Sequence, residues 1–334
     1  MNKNYGLFGL ALQANASTAA STPTVVFAAS AASDGMDAST STEGVKLTIG
    51  GRDTTVSRYI SGSENSFNAT TLCFADMLGL LLKAALGEDT VTGTGAPYTH
   101  DFTGGESIPS VTIWQQVGAS NAAVQRLDSA KVDNLTISME GTTPPAVEMQ
   151  LAGTKMQWLG ATSMPGSVEF DPSDGWFLTA SAEVLFSLAD DTPVAVPASV
   201  DLQSLSVAIA NNLEASTRLG QVDPARQTEG TASVTVNVSG TTSDTALYRQ
   251  VKTGSASGTD LASAIVTGSM QVTLAHSVEE WELVIKLPAI PWTIEPMQVD
   301  PDGGNFALSL STDGALAVDG TACEFILQNG VASY

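Results

Sequence analysis

The chain is poor in bases. Its 334 residues carry 13 Lys and Arg against 35 Asp and Glu, a formal net charge of −22, and its basic side chains are scattered without a cluster. A surface that grips nucleic acid must supply cations to displace the counterions held by phosphate, so tight nucleic-acid binding is excluded. At physiological salt such an acidic surface repels a phosphate backbone over roughly 8 to 10 Å. That suits a conduit through which DNA slides without sticking, and it suits equally a surface whose acids serve only solubility.

Histidine and cysteine are nearly absent, with two of each. His100 and His276 have no Cys, Asp or Glu at a metal or triad spacing. Cys73 and Cys323 stand far apart in the sequence and read as small buried apolar residues rather than a disulfide. A nucleophile elbow, a phosphate-loop lysine motif and a dinucleotide fingerprint are all missing. The segments Asp171 to Gly175 and Asp300 to Gly304 look superficially like calcium loops but lack the later ligands, and they read as tight turns. No catalytic residue, cofactor site or metal ligand is therefore assigned, and the chain reads as a non-enzyme.

Long apolar runs are also lacking. The longest, Met77 to Leu86, is interrupted by Lys83 and falls far short of the ~20 residues of a membrane-spanning helix. Aromatic residues at 6 % are too few for the girdles of an outer-membrane barrel. Near the start, Lys3, the stretch "YGLFGLAL" and the "ANA" at Ala14 to Ala16 make only a faint copy of an export leader.

What the chain does have is alternation. "VDNLTISM" at Val132 to Met139 and "LQSLSVAI" at Leu202 to Ile209 each place apolar side chains two apart, and each leads through a turn to another alternating strand, from Pro145 and from Gly230. These read as two copies of a β-meander. Further alternating runs at Ala182 to Leu188, at Trp281 to Leu287 and near the end make the chain mainly β. Helices are predicted over Thr71 to Leu86, capped by Thr70 or Thr71 and closed by Gly87, and over Ser243 to Gly254, capped by Ser243 or Asp244. In the first, Leu78, Leu81, Leu82 and Leu86 share one face that should pack on a sheet. Residues 14–43 are rich in Ala, Ser and Thr and read as an arm that orders only against a neighbour. The expected organisation is an N-terminal arm over 1–44, a first unit over 45–165 and a second over 166–334, duplicated β-barrel or sandwich units with one or two short helices packed on the sheets.

Several segments, in this order, resemble the tail tube (major tail) proteins of long-tailed bacteriophages. They are "GLFGLALQ"; "LGLLLKAALGED" followed by "YTHDFTGGESIPSVTIWQQVG"; "VDNLTISMEG" with "VEMQLAGTK"; "VDLQSLSVAIANNLEA"; "LYRQV"; "LVIKLPAI"; and "FILQN". The resemblance implies a unit whose sheets line a ring, rings stacked into a tube, and arms or loops bridging the rings. It also implies a tape-measure protein in the lumen, head–tail connector and tail-tip proteins at the ends, double-stranded DNA passing through without specific binding, no membrane partner, and a place in the virion tail after assembly in the host cytoplasm. A tube of this type has six equivalent units per ring, so a duplicated chain closes it as a trimer with pseudo-sixfold symmetry, the alternative being a hexamer. The polar positions Glu148, Gln150, Glu183, Glu280 and Glu282 are the candidates to face the lumen and make it negative. The competing reading, from the faint leader and the Ser/Thr-rich strands, is a secreted or surface-displayed β-sandwich adhesin.

Overall fold

The computed structural model describes residues 6–29, 35–49, 52–118, 123–160, 163–166, 170, 175–296, 306–312, 314–318 and 320–334. In chain order the first half contains β1 (Gly6–Leu12), β2 (Val25–Ala28), β3 (Gly35–Ile49), β4 (Arg52–Leu72), α1 (Ala75–Leu86), β5 (Gly87–Thr92), β6 (Tyr98–Gly104), β7 (Val111–Val117), β8 (Ala123–Glu140), β9 (Ala146–Gly153) and β10 (Lys155–Leu159). The second half contains β11 (Phe177–Ser187), β12 (Val194–Ala195), β13 (Val200–Ala210), β14 (Glu214–Ser216), β15 (Arg226–Thr228), β16 (Ser233–Thr242), α2 (Ala246–Thr253), β17 (Thr267–His276), β18 (Glu282–Pro291), β19 (Thr293–Ile294), β20 (Phe306–Ser311) and β21 (Glu324–Asn329). The expectation of a mainly β chain with two short helices holds among these residues.

The strands form two large layers. A front sheet runs in the spatial order β3-β4-β9-β8-β13-β16-β20-β19, antiparallel throughout. A back sheet runs β12-β11-β17-β18-β21-β6-β5. The first part of β8 leaves the front sheet to join a flank made with β10, β7, β1 and β2. The change falls around Ser129, which has a φ of 49° and lies where the β7–β8 register shifts, as a bulge allows.

Period-two alternation decides the layering. Leu135, Ile137, Met139, Val147, Met149, Leu151, Leu205, Val207, Ile209, Val234, Val236 and Val238 all turn inward and are buried. From the back sheet Val272, Leu274, Leu283, Ile285, Leu287, Phe325 and Leu327 enter the same core. Between the layers lies α1. Ten of its twelve residues are buried, so the single leucine face expected from the spacing is instead apolar packing all round, as a helix sandwiched between sheets requires. It touches β8 in front, β5, β6 and β21 behind, and β1 and β2 at the flank.

The helix starts later than expected because the preceding residues are held extended. Thr71 is buried and its hydroxyl donates to the Ala28 carbonyl at 2.8 Å. Cys73 donates its N–H to Pro145 and accepts from the Phe177 N–H, each at 3.1 Å. At the other end Gly87, at φ 98°, donates to the Lys83 carbonyl, the position where a side chain would be strained. Asn211, buried, spends its side-chain amide on the carbonyls of Ala85 and Val132 at 3.0 and 2.9 Å, tying the helix end to β8. In α2 the Asp244 carboxylate accepts from the Ala246 N–H at 2.9 Å, and Gly254 closes the helix at φ 78°.

The composition of the first residues misleads in one respect. Part of the 14–43 segment expected to order only against a neighbour is built into the chain's own body: β2 pairs with β1, β3 pairs with β4, and Phe27 is buried with its ring 5.6 Å from that of Phe8. A few large side chains outweigh the Ala, Ser and Thr around them. Lys3 and the two Asp-rich turns, Gly175 excepted, lie outside the described residues.

Candidate functional site

The polar side of the front sheet is a broad face assembled by register. One row across it reads Thr70, Glu148, Thr136, Ala208, Thr235. Another reads Asn68, Gln150, Asn134, Ala210, Ser233. Beside them run Ala146, Ser138, Ser206, Asn237, Ser311 and then Glu140, Ser204, Ser239, Ser309. Each is the alternate of a buried apolar residue, so all point away from the core. The side chains are short and bond one another: Ser204 and Ser239 hydroxyls at 2.6 Å, Thr136 to Asn134 at 3.2 Å, Gln150 to Glu148 at 3.5 Å. A shallow depression on this face, lined by Ser138, Glu140, Ser204, Ser206, Asn237 and Ser309, gives the sheet a local hollow there.

The five residues singled out as lumen candidates do not share this face. Glu148 and Gln150 sit on it, both exposed. Glu183 on β11 pairs with Thr273, and Glu282 on β18 pairs with Ala275, placing both on the outward side of the back sheet, while Glu280 stands in the turn before β18. Glu183 also edges a groove toward Leu202 and Gln203. Alternation identifies a position as outward, but it does not say which of two layers the strand enters.

The back sheet's outer side carries its own charges. Lys286 and Glu324 form an ion pair at 3.2 Å. Burial, then the neighbouring Glu324 carboxyl, raises the Asp101 pKa above the ordinary range, with Lys286 pulling against them, and Asp101 Oδ1 is buried without a hydrogen bond.

Two further arrangements escape sequence reading. One is a buried polar cluster under α1: His100 Nδ1 lies 3.0 Å from Asp89 Oδ1, its Nε2 2.8 Å from the Val331 carbonyl, and Lys83 donates to the Tyr334 carbonyl at 2.6 Å. The partners come from separated segments, so no local spacing signals them. The other is the hairpin of β3 and β4. Only Asn65 to Leu72 of β4 pair with β9, while Arg52 to Ile60 and Gly62 to Glu64 pair only with β3, so the hairpin projects by about 40 Å at ~3.3 Å per residue. Near its base Ser63 bonds Val222 and Asp223 in the β14–β15 connection, at 3.1 Å from its N–H and 2.6 Å from its hydroxyl. Tyr59, exposed, donates to Glu43 at 2.8 Å.

Among the described residues no group of three His, Cys, Asp or Glu is placed to hold a metal ion. Cys73 and Cys323 are free and buried, as their spacing suggested, and burial pushes the Cys323 thiol up to about 12. No helix of the described residues is long and apolar enough to cross a membrane.

Two antiparallel layers enclosing a helix, with a wide polar face on one layer and a projecting hairpin, define a mainly β sandwich protein. The family follows from comparison: the family model described as phage tail tube protein matches residues 66–322, more than half of the chain, and the chain belongs to that family. It is a structural component of the bacteriophage virion tail. No curated protein matches the sequence.

Proposed function

We propose that three copies of this chain close into a ring whose bore is lined by the polar face of the front sheet, and that rings stack into the channel through which double-stranded DNA leaves the virion. The observation that carries this reading is the strand order. The front sheet is two successive runs of four with one topology: β3-β4-β9-β8, then β13-β16-β20-β19. In each run the first two strands are consecutive in this sheet and the last two appear in reverse chain order. In each, the second strand leads into a helix, β4 into α1 and β16 into α2; the helix leads into a back-sheet hairpin, β5–β6 or β17–β18; and after the inner pair a strand returns to the back sheet, β11 or β21.

On this reading the units run over about 35–187 and 200–329, with the division later than the 165 expected from the sequence. It also reassigns the two similar stretches. "VDNLTISM" and "LQSLSVAI" are β8 and β13, direct antiparallel neighbours with Ile137 opposite Val207, so their likeness reflects a shared need to alternate rather than equivalent positions. Strands four apart in an antiparallel sheet run the same way. Equivalent strands are thus related as rotation about a ring axis demands, and two units per chain favour three chains over six.

The same axis puts the β3–β4 hairpin and the β14–β15 connection, each joining the first two strands of its unit, at one end of the ring, where they meet at Ser63. That end suits contact with the next ring. The tape-measure protein would occupy the bore before ejection, connector and tail-tip proteins would meet the terminal rings, and assembly would take place in the host cytoplasm. End-on image averages of purified tubes test the reading: threefold rings with six similar lobes are expected, and rings of six identical chains would overturn it.

A further inference from the structure

We infer that the contact between neighbouring copies repeats the junction between the two units inside one chain: β3 of one copy lies antiparallel beside β19 of the next, whose Glu295 takes up backbone N–H groups at the base of the β3–β4 hairpin. The inference rests on the ring reading above and adds the residues that close the ring. The two runs of the front sheet correspond residue by residue. Thr71 and Thr242 are both buried, and each stands four residues before its helix. Counted from them along the ladders, Phe67 between Met36 and Leu151 answers to Val238 between Leu205 and Leu310. The last strands follow, since Val132 faces Leu151 as Ile294 faces Leu310.

Both sides of the internal junction therefore have a counterpart at an edge. β8 corresponds to β19 and β13 to β3, and among the described residues β19 pairs only with β20 and β3 only with β4. The rotation that carries one unit onto the next supplies each edge with its missing partner. Inside the chain Asn134 faces Ala210. One residue further on, the Asn211 N–H donates to the Asp133 carbonyl at 2.8 Å, and the Leu213 N–H donates to the Asp133 carboxylate at 2.9 Å. Asp133 follows Val132 as Glu295 follows Ile294, so an acid recurs at the equivalent position, and Glu295 is exposed with its own N–H on the Ser309 carbonyl at 3.1 Å. Ala210, opposite Ser233, answers to Ser41, opposite Gly62, which makes Thr42 the counterpart of Asn211. Between copies the Thr42 N–H meets the Glu295 carbonyl, and the Gly44 N–H, next on the same edge, meets its carboxylate. Glu43 between them is engaged by the Tyr59 hydroxyl of its own hairpin at 2.8 Å. A carboxylate on backbone N–H groups makes a charge-assisted bond without drawing on the chain's few cations.

Disulfide trapping in tubes polymerised from the full-length chain tests the register. Directly opposed residues at a hydrogen-bonded site of an antiparallel pair have Cα atoms about 5.5 Å apart, within disulfide reach. Thr42→Cys with Glu295→Cys should link copies into dimers and trimers on mild oxidation, read on non-reducing gels. Ala38→Cys with Glu295→Cys, out of register by about 13 Å, should not, and the native Cys73 and Cys323 are buried. Hollow threefold tubes in which the first pair fails to link, or the second links as well, would overturn the junction. A second readout uses no cysteine. Glu295→Ala should leave the urea midpoint of free subunits unchanged and raise the free-subunit concentration left after polymerisation about tenfold, although loss of a negative charge alone would favour assembly. Asp133→Ala should instead lower the urea midpoint, because there the same bond is internal. A Glu295→Ala chain that polymerises as readily as wild type would also overturn the junction. Failure of the wild-type chain to form hollow threefold tubes would defeat the ring reading itself, a result distinct from each of these.

Discussion

At the scale of single residues, a tight constraint lies where α1 meets the segment after β21. A Cβ on Gly79 would fall 2.3 Å from Cζ and Oη of Tyr334, whose ring also packs 4.9 Å from that of His100. Burial raises the Tyr334 phenol well above its usual range, so the ring sits in the slot as a neutral body, with its hydroxyl bonded to Asn329. Glycine inside a helix costs about 1 kcal/mol against alanine, and that cost is accepted here for the space. Gly79→Ala should therefore destabilise the subunit by about 1 to 3 kcal/mol in urea unfolding, overpacking outweighing the gain in propensity. The same change made in a Tyr334→Ala background should be neutral or stabilising, because the clash is gone. An equal cost in both backgrounds would mean that Tyr334 does not fill the slot.

At the scale of elements, the hairpin and the first strands have opposite fates. Amides of β3 and β4 beyond Asn65 bond only within the hairpin or at the Ser63 contact, whereas β1 is paired on both sides. Hydrogen exchange should be fast over residues 52–62 in free subunits and markedly slower in tubes, while residues 7–11 should be protected in both. Exchange at 52–62 that is unchanged by polymerisation would remove the hairpin from the ring contacts. Much of this layer was legible in the sequence. The alternating runs at Val132, Leu202 and Trp281 became strands, the leucine-rich segment became α1, and Gly87 and Gly254 close the helices, because those signals depend only on near neighbours. The hairpin was not legible below Val45: beyond the buried Met36, Asp37 to Gly44 is a strand made mostly of small polar residues, all exposed, so period two leaves no mark. Nor was the start of α1, since the bonds that keep Thr71 and Cys73 extended come from Ala28, Pro145 and Phe177. The lumen candidates divided for the same reason, with Glu148 and Glu282 indistinguishable until their strands entered different layers.

At the scale of the whole molecule, charge works against the assembly that topology favours. Each chain carries a formal net charge of −22, and among the described residues four basic side chains are already spent inside the chain, in the pairs Lys83–Asp89, Arg126–Asp128, Lys131–Glu229 and Lys286–Glu324. Few cations are left to pair with acids of a neighbour, so cohesion between copies must come from strand edges and apolar contact, with like charge opposing it throughout. Screening then controls polymerisation. The Debye length falls from about 30 Å at 0.01 M salt to about 8 Å at 0.15 M, which confines the repulsion between facing subunits to their nearest acids. The free-subunit concentration left after polymerisation, read by sedimentation, should thus fall several-fold as sodium chloride rises over that range, and growth followed by light scattering should quicken. Contacts built on complementary charge would weaken with added salt. Tubes that dissolve as salt rises would therefore show that the remaining Lys and Arg residues bridge the subunits, and that the acid excess is answered at the interfaces instead of merely screened.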